Sequence, residues 1–318
     1  MGRRTLPFKG SSPVRALTPA SPTLGSPLAV AIADATRDGD AVTVLATYRA
    51  AQLDLRELLV DTIVHTVGPS RPRWIDELID HENTAAFGLL LRGCHRARIA
   101  FSAHGALADD VEVEQFQRLL KVAETDLLHA AGQDPTDPSP WSVLLSTGRG
   151  LGLERPVLLQ RFDRACPTGT WLPLPHHHMI QVLSENWLGE PGEAIDFARM
   201  VASVAPLGSS LHDLIPAAHL EAAWTRRRRG RRIATTLAGA GDEILLAAQR
   251  SVEQPDFDDR DLGIMARIIF ALALTLIGSR RRALARFERI ADRVSPYPWK
   301  YFGDPADEFL RFARLAAS

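Results

Sequence analysis

The chain has little cysteine, little lysine and no long apolar run. Its two cysteines, Cys94 and Cys166, form no CxxC pair and no disulfide framework; this excludes a stapled secreted scaffold and fits a reducing cytoplasm. The longest apolar stretch, residues 268–277, is too short to span a bilayer and follows Arg267, so it predicts a buried helix and no membrane partner. Lysine occurs only at Lys9, Lys121 and Lys300 among 37 basic side chains, and with abundant alanine this arginine bias points to a GC-rich bacterial genome. The net charge of −1 excludes a globally basic nucleic-acid binder but leaves room for a local basic patch.

Composition is otherwise that of a globular protein, with 46% hydrophobic and 24% charged residues over 318 positions. Residues 1–27, MGRRTLPFKGSSPVRALTPASPTLGSP, have basic residues but no apolar core of a signal peptide. They read as a disordered Pro/Ser-rich tail. A transit peptide is the lesser reading, because the prolines suit an amphipathic helix poorly.

Beyond the tail, apolar residues recur at helical spacing and the strict alternation of half-buried strands is nearly missing, which predicts an all-α fold. Residues 111–131 show it best. Val111, Gln115, Leu119, Val122 and Asp126 lie about a turn apart, with Phe116, Leu120, Ala123 and Leu127 on an adjoining stripe. Gly68-Pro69 and Pro72 precede a helix at Trp74, residues 132–140 precede one at Trp141, and Pro206 precedes one at Leu211. Short connections imply antiparallel neighbours. The organisation expected is a tail over 1–27, an N-terminal helical half over 28–132 and a repeat-bearing half over 133–318.

A spacing recurs along the chain. From Gly278, Ala283, Phe287 and Ile290 follow at +5, +9 and +12, with Pro296 beyond; the same offsets run from Gly189 to Ala194, Ala198 and Val201, and from Gly39 to Val44, Tyr48 and Ala51. A fourth copy, at Gly152, needs one extra residue to reach Leu158, Phe162 and Ala165. Glycine permits the reversal after one helix, a small residue lets the next approach, and a larger one fills the groove between pairs. The pattern resembles the tetratricopeptide repeat (TPR), which implies an irregular TPR-like α-solenoid of antiparallel helix pairs. From residue 134 onward, DPTDPSPWSVLLSTGRGLG, NWLGEPGEAIDFARM and SPYPWKYFGDPADEFLRF also resemble a group of bacterial helical proteins that carry a TPR-like domain of unknown function. That resemblance implies a fold and no activity.

Candidate chemistry is sparse. His176, His177 and His178 are consecutive, so on a helix they point about 100° apart and cannot face one metal. With Pro175 before them they read as a helix start, one ring packed inward and the others wet. His212 and His219, seven apart, would share a helical face, and His178 could complete a metal set or a hydrolytic centre with them. No Gly-x-Ser-x-Gly elbow occurs, and TGRGLGLERP lacks the Gly-Lys-Ser/Thr of a phosphate loop, so it reads as a bend between helices. Asp109-Asp110 and Asp258-Asp259 read as helix N-caps.

The run TRRRRGRR is the strongest local anomaly. Arg226, Arg227, Arg228, Arg229, Arg231 and Arg232 create a field able to pair with carboxylate or phosphate, with Asp256, Asp258, Asp259 and Asp261 as nearby counter-charges. No aromatic set for base stacking is interleaved, which disfavours single-stranded nucleic acid. The function expected is a cytoplasmic protein-interaction scaffold without catalytic activity or cofactor, binding a peptide or helix, acidic in character, in a groove rimmed by these arginines and by the start at His176. The alternatives are a metal-binding or hydrolytic enzyme on His178, His212 and His219, and a nucleic-acid accessory protein on the arginine run. Trp187, Trp224 and Trp299 are expected as core anchors.

Overall fold

The structure, a computed structural model, describes residues 23–103, 110–228, 230 and 233–318, without the side chains of 110, 228, 234 and 235. Every regular element among the described residues is helical, and the chain divides into two compact units. The first is Pro27–Val182; the second joins residues 23–26 to Leu183–Ser318. The boundary at 132/133 expected from sequence falls inside the first unit, at the end of one long helix. Of the expected tail, residues 1–22 lie outside the described residues; Leu24 and Ser26, at its end, are buried.

The first unit holds α1 (Pro27–Asp38), α2 (Ala41–Ala50), α3 (Leu53–Val67), α4 (Arg73–Ile79), α5 (Glu82–Ala103), α6 (Asp110–Gln133), α7 (Ser139–Leu151), α8 (Arg155–Ala165) and α9 (Pro173–Val182). α5 and α6 form its longest packed pair. Phe116, Leu120, Ala123 and Leu127, the second stripe read from the sequence, are the buried face of α6, whereas Val111 and Val122 on the first are exposed. Gly93 brings α5 close, since a Cβ there would lie 2.7 Å from Leu127 Cγ. Beside the apolar seam, buried Asp126 accepts from Arg92 Nε at 3.0 Å and Nη2 at 2.7 Å, and from Arg96. A bidentate, charge-assisted pair of this kind fixes the rotation of one helix against the other.

The glycines of TGRGLGLERP have packing roles. Gly148 and Gly150 lie within α7, where a Cβ would meet Arg161 Nη1 at 2.7 Å and Leu120 Cδ1 at 2.4 Å. Gly152 ends the helix at φ 67°, the left-handed cap glycine adopts cheaply.

The second unit holds α10 (Glu193–Val204), a 3-10 turn Ser210–Asp213, α11 (Leu214–Arg228), α12 (Ile233–Ala238), α13 (Gly241–Arg250), α14 (Leu262–Leu276), α15 (Arg280–Ile290), a 3-10 turn Trp299–Tyr301 and α16 (Pro305–Ala317). The apolar run expected to be buried is the centre of α14, with every residue from Ile268 to Leu274 inaccessible. Around it Phe287, Trp299, Phe309 and Phe312 form an aromatic core; Phe287 and Phe309 meet edge to face at 5.3 Å. No described helix is long and apolar enough to cross a membrane.

Three of the four glycine-turn units are packed pairs. Gly39 separates α1 from α2, Gly152 separates α7 from α8, and Gly278 separates α14 from α15, all three at positive φ. Val44, Tyr48 and Ala51, then Leu158 and Ala165, then Ala283, Phe287 and Ile290 are buried at the expected offsets. The fourth is different. α10 buries Ala194, Ala198 and Val201, but α9, the helix before Gly189, belongs to the other unit, and the positive φ falls at Gly192. Gly189 serves close packing, as a Cβ there would lie 1.9 Å from the Leu183 carbonyl oxygen.

Candidate functional site

The arginine run begins on α11, which ends at Arg228. The side chains of Arg228, Arg229, Arg231 and Arg232 lie outside the described residues; Arg226 is exposed. Arg227 is already engaged. Its guanidinium stands 4.8 Å over the Trp224 ring and 5.6 Å over Phe302, and Nη1 donates to the Tyr301 carbonyl at 3.2 Å. Trp224 stacks on Tyr301 at 4.9 Å, and the Tyr301 hydroxyl donates to buried Glu221 at 2.6 Å. Arg227 therefore caps an aromatic stack, a geometry in which cation and ring attract. Trp299 is the fully buried anchor expected, Trp224 belongs to this half-buried stack, and Trp187 is partly exposed.

Two of the aspartates expected as counter-charges or caps have other partners. Asp258 pairs with Arg260 at 2.9 Å and Asp259 with buried Arg267, so neither caps α14, whose N-cap residue is Asp261. Asp109 and the side chain of Asp110 lie outside the described residues. An ordered arginine array not anticipated from the sequence stands on α15 and just beyond it. Arg282, Arg286, Arg289 and Arg293 are spaced by four, three and four, so they share one face. Arg286 donates to the Val252 carbonyl at 2.7 Å, which also accepts from Arg267 at 3.1 Å, and Arg289 lies 3.8 Å from Asp259. Burial, then the Arg267 cation, hold Arg286 below the usual guanidinium range. The face is largely a clamp on the loop before α14.

The histidines separate as their chain geometry demands. Residues 176 and 178 point about 200° apart on α9, and both faces of that helix are covered, so two rings pack inward rather than one. His176 is buried, its Nδ1 2.6 Å from the Leu172 carbonyl oxygen and its ring edge-on to Phe162 at 5.1 Å. His178, half-buried, has Nδ1 2.8 Å from Ser146 Oγ and Nε2 2.6 Å from Glu57 Oε1, while Ser142 donates to the other Glu57 oxygen. The order serine, imidazole, carboxylate is that of an acid–base relay. Two features set it apart from a hydrolytic centre: Ser146 sits mid-helix, where backbone N–H groups are spent on the helix, and the adjoining cleft has only about 10 Å³ of free volume, room for a single water. It clamps α3, α7 and α9 together.

His212 lies in the 3-10 turn before α11, so the seven-residue spacing to His219 does not run along one helix. His212 is buried with Nε2 3.0 Å from the Pro206 carbonyl oxygen, and burial lowers its pKa. His219 Nε2 lies 2.9 Å from Glu243, which Arg199 foremost and His219 after it hold below the usual carboxylate range. His178 belongs to the other unit. Among the described residues no group of three or more His, Cys, Asp or Glu is placed to hold a metal ion.

The second unit also presents an apolar face. Arg199 of α10 donates to Glu243 of α13 at 2.7 Å, and the Gly208 N–H to the Arg250 carbonyl at 2.8 Å, so α10 and its following turn are tied to α13 at two points. Between these cross-links project Met200 and Val204, one turn apart, then Leu207, with Leu246 on α13. They are 59, 66, 64 and 55% exposed. Sequence reasoning used the opposite, buried face of α10 for its repeat and left this one unread; the signal was three large apolar residues outside that repeat pattern.

Comparison of the chain with protein-family models, with curated proteins and with solved structures finds no match.

Proposed function

We propose that the protein is a non-catalytic interaction module, an irregular TPR-like array of helix pairs that docks an amphipathic helix of a partner protein. The observation that carries this reading is the exposed Met200, Val204, Leu207 and Leu246 face. Single exposed apolar residues are ordinary, but four more than half exposed along two cross-linked helices form a surface that water solvates poorly and a partner would cover. Met200 and Val204 stand about 6 Å apart along α10 and Leu207 follows in the turn beyond it, a spacing that suits anchors one turn apart on a docked helix. Arg226, exposed at the end of α11 in the same unit, supports an acidic character for the partner. The unpaired thiols of Cys94 and Cys166 support a cytoplasmic setting.

The test is affinity capture with wild type and with a Val204→Glu, Leu246→Glu double variant, read by mass spectrometry. A partner retained by wild type and lost from the folded variant is expected; identical partner sets would remove the docking face from the account.

A further inference from the structure

The first unit contains a cavity of about 210 Å³. Its apolar side is Leu45, Phe87 and Leu90, and its inner polar wall is Tyr48, Arg56 and Asp137. Arg49, Glu82 and Asp134 complete the lining; Arg49 and Glu82, both exposed, face the opening.

Arg56 is the unusual member. Its side chain is only 17% exposed, yet it makes no hydrogen bond: Nη1 is 3.7 Å from Asp137, the guanidinium lies 5.3 Å from the Tyr48 ring centroid, and Nε has no acceptor. Asp137 offsets its charge across that 3.7 Å but accepts no hydrogen bond from it, because Oδ2 accepts from the Tyr48 hydroxyl and Oδ1 from the Ser139 N–H at 2.9 Å. A guanidinium Nε buried without an acceptor is costly, and a carboxylate entering the cavity would supply the bidentate acceptor that arginine favours. The acids act on the choice of ligand. Glu82 has no ion-pair partner among the described residues, and Asp134 accepts through Oδ1 only, from Thr136. Together with Asp137 they repel a dianion such as phosphate and attract an ammonium. The volume is below that of drug-sized sites.

We propose that this cavity binds a small aliphatic α-amino acid, its carboxylate on Arg56, its ammonium toward Glu82 and Asp134, and its side chain against Leu45, Phe87 and Leu90. The site stands independently of the docking face, which belongs to the other unit.

The test is calorimetric titration of the full chain with L-leucine, with isopentylamine and isovalerate, which each lack one charged group, and with inorganic phosphate. Leucine is expected to bind saturably at up to millimolar concentration, the other three at least tenfold more weakly. Arg56→Gln, checked for folding by circular dichroism, should abolish leucine binding. Glu82→Gln, at an exposed position, should narrow the gap between leucine and isovalerate. Absence of leucine binding to wild type, equal binding of the amine or the acid, preferential binding of phosphate, or undiminished binding in folded Arg56→Gln would each overturn the proposal.

Discussion

Replacing Phe287 with alanine tests the packing on which the second unit rests. The ring is fully buried at the +9 position after Gly278, tilted against Trp299 at 6.0 Å and edge-on to Phe309 at 5.3 Å. Truncation removes the transfer free energy of the ring and leaves a cavity that its buried aromatic neighbours cannot collapse to fill. Large-to-small changes of this kind cost about 3–5 kcal/mol, and the lost aromatic pairs place Phe287→Ala in the upper half of that range. For a unit of this size the midpoint should fall by roughly 8–20 °C. Urea unfolding followed by tryptophan fluorescence reads the change directly, because Trp299 is a contact of the deleted ring. Arg289→Ala on the same helix, with a side chain 70% exposed, is the control and should cost less than about 0.5 kcal/mol. A Phe287→Ala cost below about 1 kcal/mol would show that the glycine-turn offsets do not mark the packed face of α15.

Three further outcomes follow from the described contacts. Asp126→Ala removes the carboxylate shared by Arg92 and Arg96; both arginines keep about a quarter to a third of their side-chain exposure, so water recovers part of the loss and the expected cost is about 2–3 kcal/mol by chemical denaturation. Cys166, pushed up to about 12 chiefly by burial, should carry about a thousandfold less thiolate at pH 8 than an unperturbed thiol, and burial pushes the Cys94 thiol up as well. Disulfide-reagent labelling of native protein should therefore be slow and become fast on adding denaturant; fast native labelling would contradict the burial of Cys94 and the partial burial of Cys166. His95 and His212 have pKa values lowered by burial, so the unfolded chain protonates them first as pH falls; stability is full above about pH 6.5 and declines below it by up to about 1.4 kcal/mol per pH unit for each ring. A denaturation midpoint flat from pH 7 to pH 5 in the wild type, or a decline unchanged in His95→Gln, would refute this.

Local signals were legible in the sequence and long-range pairings were not. The stripe Phe116, Leu120, Ala123 and Leu127 declares its helix face because the apolar period survives any tertiary arrangement, and Gly39, Gly152 and Gly278 mark reversals because only glycine takes positive φ at no steric cost. Gly189 shows the limit: spacing cannot tell a glycine chosen for its φ from one chosen because the Leu183 backbone passes too close for a Cβ. His178 could not be read because Glu57, its partner, is 121 positions away, and Arg227 because the Tyr301 carbonyl that it reaches is 74 away. The α15 arginines are a different case, since their four-three-four spacing was visible and the denser run at 226–232 drew attention from it. The cavity around Arg56 depends on α2, α3 and α5 meeting the turn before α7, so no single stretch of sequence carries it.

A photo-crosslinking amino acid placed at Val204 reads out whether the α10–α13 face docks a partner helix. The control places the same probe at Val42, which is 79% exposed on α2, outside this face. In the protein's own cell extract the Val204 probe should yield a discrete adduct that is lost when Leu246→Glu is added, while the Val42 probe should not yield that adduct. No adduct from Val204, or the same adducts from both positions, would contradict that docking.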